Sequence, residues 1–285
     1  MTKGQKVEEL IFRVLMNVFT WLVGALLLLI LVSVLWRALP ALSLDMITKT
    51  PHGGFYYGKE GGILNAIIGS LYLGFGATIL AFVISLPLAL YMNLYLAKSN
   101  KISNTVRFFL DVMWGIPSVV YGAFGFAIML FIGMKTSLLA GIITVSLFII
   151  PIMARAMDEI FKTIPRGLTE TCLSLGMTRS ETAYKVYVRQ CLPGIITAIL
   201  MSFGRAIGDA AAVLFTTGYT DHIPTSLNQP AATLPLAVFF QLSSPFAEVR
   251  ERAYASAGIL IFIILLISII SRLLTEKYKK HTIKF

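Results

Sequence analysis

The sequence predicts an all-α integral membrane protein with six transmembrane helices, and three observations carry that prediction. Apolar residues make up 57% of the 285 and charged residues only 13%, against about 45–50% and about 25% in soluble domains. The apolar residues gather into runs that approach or exceed the roughly 20 helical residues needed to cross a ~30 Å hydrocarbon layer. The basic residues, in turn, fall unevenly between the connecting segments. A chain of this composition cannot hide its apolar surface in one soluble core, and it is neither disordered, a coiled coil nor a disulfide scaffold.

The first span covers about 14–36 and includes LVGALLLLILVSVLW, too long for the core of a cleavable signal peptide, so it is expected to be retained. The second covers about 65–91. The third covers about 108–132 and is interrupted at Gly115-Ile116-Pro117-Ser118. The fourth, 137–154, is the shortest, and a re-entrant segment is its alternative. The fifth starts at Pro193, a favoured first helical position, and is expected to run as helix to about Thr217. The sixth covers about 255–274.

Orientation follows from Lys and Arg. With the N-terminus inside, seventeen of the 24 basic residues fall in inner segments, six in outer segments, and Arg205 within a span. That bias places both termini in the cytoplasm. The net charge of +10 is then topology rather than a nucleic-acid footprint, and no nucleic-acid partner is expected.

Two connecting regions are patterned. In the inner segment 155–192, Thr169 to Gly176 reads as a two-turn helix, with Leu168, Cys172 and Leu175 on one face and Gly176 as its stop. Thr178-Arg179-Ser180-Glu181 reads as a capping box opening a second helix. A short helix with an apolar face suits a partner's groove or the headgroup layer equally well. In the outer segment, Thr233 to Phe240 is apolar but too short to span, so it is either a partly inserted helix or a buried loop.

Charges inside a span need a reason, because each costs at least ~2.5–3.5 kcal/mol. Arg205 and Asp209 stand ~18 Å and ~24 Å along the helix from Pro193, and on a continuous helix their i, i+4 spacing lets them pair. One reading is a self-neutralised bridge that holds the bundle together. The other makes Arg205 a cation beside a polar path, awaiting an anion, with Asp209 holding it in place. Gly204, Gly208 and Ala212 form a small-residue stripe where another helix can approach. Asp111, near the inner end of the third span, is expected either to reach the interface or to pair with Arg107.

Enzyme signatures are missing from the chain. Gly53 to Lys59 matches seven positions of a phosphate-binding loop, but Glu60 stands where the hydroxyl that holds Mg²⁺ belongs. Cys172 and Cys191 share one segment and argue against disulfides, while His52, His222 and His281 are too scattered for a metal site.

The inner helix resembles the EAA loop of binding-protein-dependent ABC importer permeases, carried here by Glu170, Thr171, Cys172 and Gly176 with both alanines replaced. Four more stretches resemble the phosphate-specific permeases of the PstA type. They are Gly61-Gly62-Ile63 with Ala66 to Ser70, Gly115 to Gly122, Gly204 to Asp209, and Glu251-Arg252-Ala253-Tyr254. Two departures stand out: Asp209 occupies a position that is often Glu, and Val188-Arg189 replaces the first Leu-Pro before Leu192-Pro193-Gly194-Ile195.

The resemblance implies a type I ABC importer permease (MetI-like) fold in a bacterial or archaeal cell membrane. It implies an N-terminal region over 1–62, a permease domain over 63–275 and a basic tail over 276–285. The chain would be a non-enzymatic subunit of an ATP-driven inorganic phosphate importer. Its partners would be a PstC-type permease, two copies of a PstB-type ATPase that use ATP and Mg, and a PstS-type phosphate-binding protein. This chain would bind no cofactor or metal. Arg205, Asp209 and Ser118 would line the substrate pathway, and Leu168, Glu170, Thr171, Cys172, Leu175 and Gly176 would meet the ATPase. The readings set against it are an ATP-independent anion transporter or channel, and an ABC permease for another oxyanion or phosphonate.

Overall fold

The computed structural model describes residues 3–51, 61–96 and 101–279, and every regular element among them is helical. The loop-like stretch at 53–59 and the end of the basic tail lie outside the described residues.

Helix α1 (Lys3–Ala41) has 39 residues, about 58 Å at 1.5 Å each, nearly twice the hydrocarbon thickness. None of its most apolar stretch is buried by the rest of the chain, so that stretch is left facing lipid. Its last turns alone are fastened, to α12 (Ala247–Lys279). There Ala38 is fully covered, a Cβ on Gly258 would stand 2.6 Å from the Ala38 methyl, and Arg37 donates to the Tyr254 hydroxyl at 2.6 Å.

The core forms where α3 (Leu64–Leu94) packs along α6 (Leu138–Lys162). Val145, Ile149, Met153, Met157 and Phe161 of α6 are fully buried, as are Ala77, Ala81 and Ala89 of α3. Small residues on one helix against large ones on the other let the two axes approach without voids. The span expected to be shortest is a 25-residue helix. Ser137 caps its start by accepting the Ala140 N–H. At its far end, Arg155, Asp158, Glu159 and Lys162 pair at i, i+3 and i, i+4, which continues the helix past the apolar run.

The third span is not straight. Helix α4 (Lys101–Gly115) and α5 (Ser118–Phe131) meet at 96° across Ile116-Pro117, because the residue before a proline is pushed out of the α region. With 14 residues, α5 reaches only ~21 Å. On α4, Ser103 and Leu110 turn inward while Ile102, Phe108 and Phe109 are exposed.

The fifth span departs most from expectation. Helix α10 (Leu192–Gly208) stops at Gly208, nine residues short of Thr217, and the chain completes the crossing as irregular turns. Such backbone survives at membrane depth only inside protein. Ala212, Val213, Thr216 and Thr217 are accordingly fully buried. Ser137 N–H donates to the Thr216 carbonyl at 3.0 Å and Ala231 N–H to the Thr217 carbonyl at 3.1 Å. Among the described residues, four helices are thus long and apolar enough to cross a membrane, or up to six if each bent pair counts as one span.

Two short helices complete this end of the bundle. Helix α2 (Leu44–Thr48) packs on α3, and α11 (Leu234–Gln241) is the apolar outer segment, buried at Leu234, Pro235, Leu236 and Ala237. At the opposite end, α7 (Arg166–Ser174) leads through α8 (Arg179–Glu181), a π-helical stretch (Thr182–Tyr187) and α9 (Val188–Gln190) into α10, with a 76° bend.

Candidate functional site

Arg205 lies in the last turn of α10 with its side chain exposed in the isolated chain. Its guanidinium carbon stands 5.0 Å from the centre of the Phe148 ring. Asp209 does not pair with it. The helix has ended, Asp209 is extended at φ −85°, ψ 121°, and its Oδ1 accepts the Ala212 N–H at 2.8 Å. The carboxylate therefore caps the buried turn that follows, and the expected i, i+4 bridge is not formed. Among the described residues, no carboxylate forms an ion pair with Arg205.

Magnitudes show what this leaves. Holding Arg at membrane depth costs at least ~2.5–3.5 kcal/mol. The ring returns about 0.5–2 kcal/mol, and the carbonyl end of α10 about 0.3–1 kcal/mol. Together these return about 0.8–3 kcal/mol, which at mid-range falls short of the cost, and an anion would add a charge-assisted bond that neither supplies.

The small-residue stripe is also rearranged. Met201, Arg205 and Gly208 are exposed and Gly204 half-buried, and a Cβ on Gly204 would meet nothing within 4 Å. That strip of α10, at i, i+3, i+4 and i+7, is open. Ala212 is not on the helix at all; it packs in the turn against α5, where a Cβ on Gly122 would lie 2.7 Å from the Ala211 carbonyl oxygen. Ser118, half-buried at the start of α5, lies one turn before Gly122 on the same face.

The short helix sits at the opposite end. Leu168 packs against the core and Cys172 is 7% exposed. The Thr169 hydroxyl meets the Tyr187 hydroxyl at 2.9 Å, and the Tyr187 ring lies 5.9 Å from Phe161. Leu175, expected on this packed face, is 78% exposed, because α7 ends at Ser174 and Leu175 is its C-cap. Glu170 and Thr171 are exposed as well.

Gly176 stops the helix as expected. Its φ is +82°, its N–H donates to Leu173 O, and Met177 N–H donates to Cys172 O, which are the two bonds of a Schellman ending. The capping box also forms, with Thr178 and Glu181 satisfying each other's backbone. The Lys185 ammonium and the Thr178 donors hold the Glu181 carboxyl down to about 2.

A charged cluster that sequence reading missed lies near the end of α6 that leads into this helix. Asp158 is fully buried and accepts from Arg107 Nε and Nη2 at 2.9 Å, Arg155 Nη1 at 2.7 Å and Asn93 Nδ2 at 2.9 Å, with Lys162 Nζ at 2.9 Å. Of the two expectations for Asp111, the pairing with Arg107 is not formed, and Arg155 donates to it instead at 2.6 Å. A buried carboxylate needs such partners, and these tie α3, α4 and α6 together at one end.

The profile of the binding-protein-dependent transport system inner membrane components matches residues 85–280. This chain belongs to that family. It is 31% identical to the phosphate transport system permease protein PstA of Pasteurella multocida over 255 residues, covering 88% of both chains. It is also 31% identical to the probable phosphate transport system permease protein PstA of Methanocaldococcus jannaschii, over 88% of this chain and 90% of that one. In fold, the permease resembles a chain of the MetNI methionine ABC transporter in inward-facing conformations, with a TM-score of 0.62 at 19% identity, covering 76% of this chain and 95% of the other. The chain therefore has the fold of type I ABC importer permeases and is a multi-pass membrane protein.

Proposed function

We propose that this permease is the PstA-type subunit of an ATP-driven importer of inorganic phosphate. The observation that carries the reading is Arg205, without a carboxylate partner at the broken end of α10, in a chain whose relatives are phosphate transport permeases. A phosphate dianion loses hydration on entering the membrane, and a guanidinium offers it a planar set of N–H donors. Asp209 shapes the turn, and Ser118 stands on the α5 face that lines it.

In this reading 63–275 is the permease domain, and the end bearing α7 faces the cytoplasm. The open strip Met201–Gly204–Arg205–Gly208 receives a PstC-type permease, which closes the pathway around Arg205. Two PstB-type ATPases bind ATP and Mg and meet α7 through Glu170, Thr171, Leu175 and the Gly176 turn, while a PstS-type protein delivers phosphate at the other end. Movement of α7 reaches α10 through Tyr187 and the continuous stretch 179–190.

The test is Arg205→Ala in the assembled complex reconstituted in vesicles. Phosphate uptake is expected to fall to background while ATP hydrolysis and subunit yield persist. Uptake at the unaltered rate would sink the role of Arg205.

A further inference from the structure

A cation kept ready for an anion needs a resting place that does not occupy the groups the anion will use. A carboxylate fails this requirement, because it binds the in-plane N–H donors of a guanidinium, the same donors an oxyanion needs. An aromatic ring meets it, since the ring attracts the guanidinium through its flat face and leaves the donors at the edge free.

We propose that Phe148 is a positioning residue for the oxyanion pathway: its ring holds Arg205 by the face and keeps the guanidinium edge open to phosphate. The inference rests on the reading of Arg205 given above. Phe148 belongs to α6, is 2% exposed, and lies 5.0 Å from the Arg205 guanidinium carbon. Its orientation is braced by a second ring. Tyr121 of α5 packs edge-on against it at 5.6 Å and 62°, and the Tyr121 hydroxyl donates to the Met113 carbonyl at 2.9 Å. The support for one cation thus runs from the end of α4 through α5 and α6 to α10. Asp209, the acid nearest in sequence, is held on the Ala212 N–H and does not compete. Without the ring's attraction, the guanidinium is free to turn toward Asp209 or along the open strip of α10, and fewer molecules present it to the passing anion.

Ring fluorination tests this, because fluorine withdraws the negative charge from the ring face at nearly constant size. Mono-, di- and trifluorinated phenylalanine are placed at 148 in the reconstituted complex, beside Arg205→Ala. Phosphate uptake at saturating loaded binding protein is expected to fall stepwise with fluorine number, by about two- to thirty-fold at the end of the series, with ATP hydrolysis and subunit yield unchanged. A packing role alone gives no such gradient. If Arg205→Ala abolishes uptake while every fluorinated ring supports the unaltered rate, the role of Phe148 is overturned and that of Arg205 stands. If Arg205→Ala transports normally, both fall.

Discussion

Asp158 shows how a buried charge is made tolerable and what its loss would do. Three cations and one amide converge on it, so Asp158→Asn leaves positive charge without its counter-ion at the end of the core. Breaking such a group from one side costs ~3–5 kcal/mol. The lower end is expected here, about 3 kcal/mol, because Arg155 keeps Asp111 and Glu159, and Lys162 keeps Glu159. Thermal denaturation of the purified complex should shift several degrees lower in the variant. An unchanged midpoint would mean that the remaining acids suffice. The local pairs of Asp158 with Arg155 and Lys162 read as an ordinary charged helix end, and the partners that bury it, Arg107 and Asn93, stand 51 and 65 residues away. Arg205 was legible for the opposite reason: a charge inside an apolar run is visible without knowing any contact. Its ring partner was not, because Phe148 is one of 19 phenylalanines and only packing selects it.

At the scale of elements, the spans were legible from apolar runs, and the errors lie where helices break. The Gly208-Asp209 step carried a usable signal, a glycine closing one helix and an acid capping the next turn, but the apolar residues that follow masked it. The same reasoning succeeded at Gly176, where the left-handed backbone leaves a β-carbon in open space but in a strained conformation worth about 1–2 kcal/mol. Gly176→Val is therefore expected to fold while shifting the end of α7, lowering phosphate moved per ATP hydrolysed several-fold. Equal coupling in the two proteins would deny α7 its proposed role. Leu175→Asp, on the exposed side, is expected to weaken retention of the ATPase on purification without changing the yield of the permease. Undiminished retention would remove Leu175 from that contact. The motif stretches around Gly69 and Ser70 turn out to be architectural. A Cβ on Gly69 would overlap the Ala232 carbonyl, and Ser70 Oγ accepts the Leu234 N–H at 2.7 Å, so together they seat the chain that leads into α11.

For the whole molecule, the distribution of basic residues acquires a geometry. Arg107, Arg155, Lys162, Arg179 and Lys185 gather at the end where α7 lies. Arg37, Lys49 and Arg250 stand at the other, near α2, α11 and the start of α12. The positive-inside rule then predicts that the α7 end faces the cytoplasm. This can be read in intact cells with a membrane-impermeant maleimide, because both native thiols, Cys172 and Cys191, are buried and give little background. A cysteine placed by Lys135→Cys, in the connection between α5 and α6, is expected to label from outside. One placed by Leu175→Cys, at a position 78% exposed in the isolated chain, is expected to label only after the membrane is permeabilised, in cells that make the permease without its ATPase. The reversed pattern would invert the orientation, and with it the assignment of α7 to an ATPase, because ATP is on the cytoplasmic side. The fold by itself is compatible with either hand of insertion, so the charge asymmetry is the physical quantity that decides which end of the bundle faces the cytoplasm.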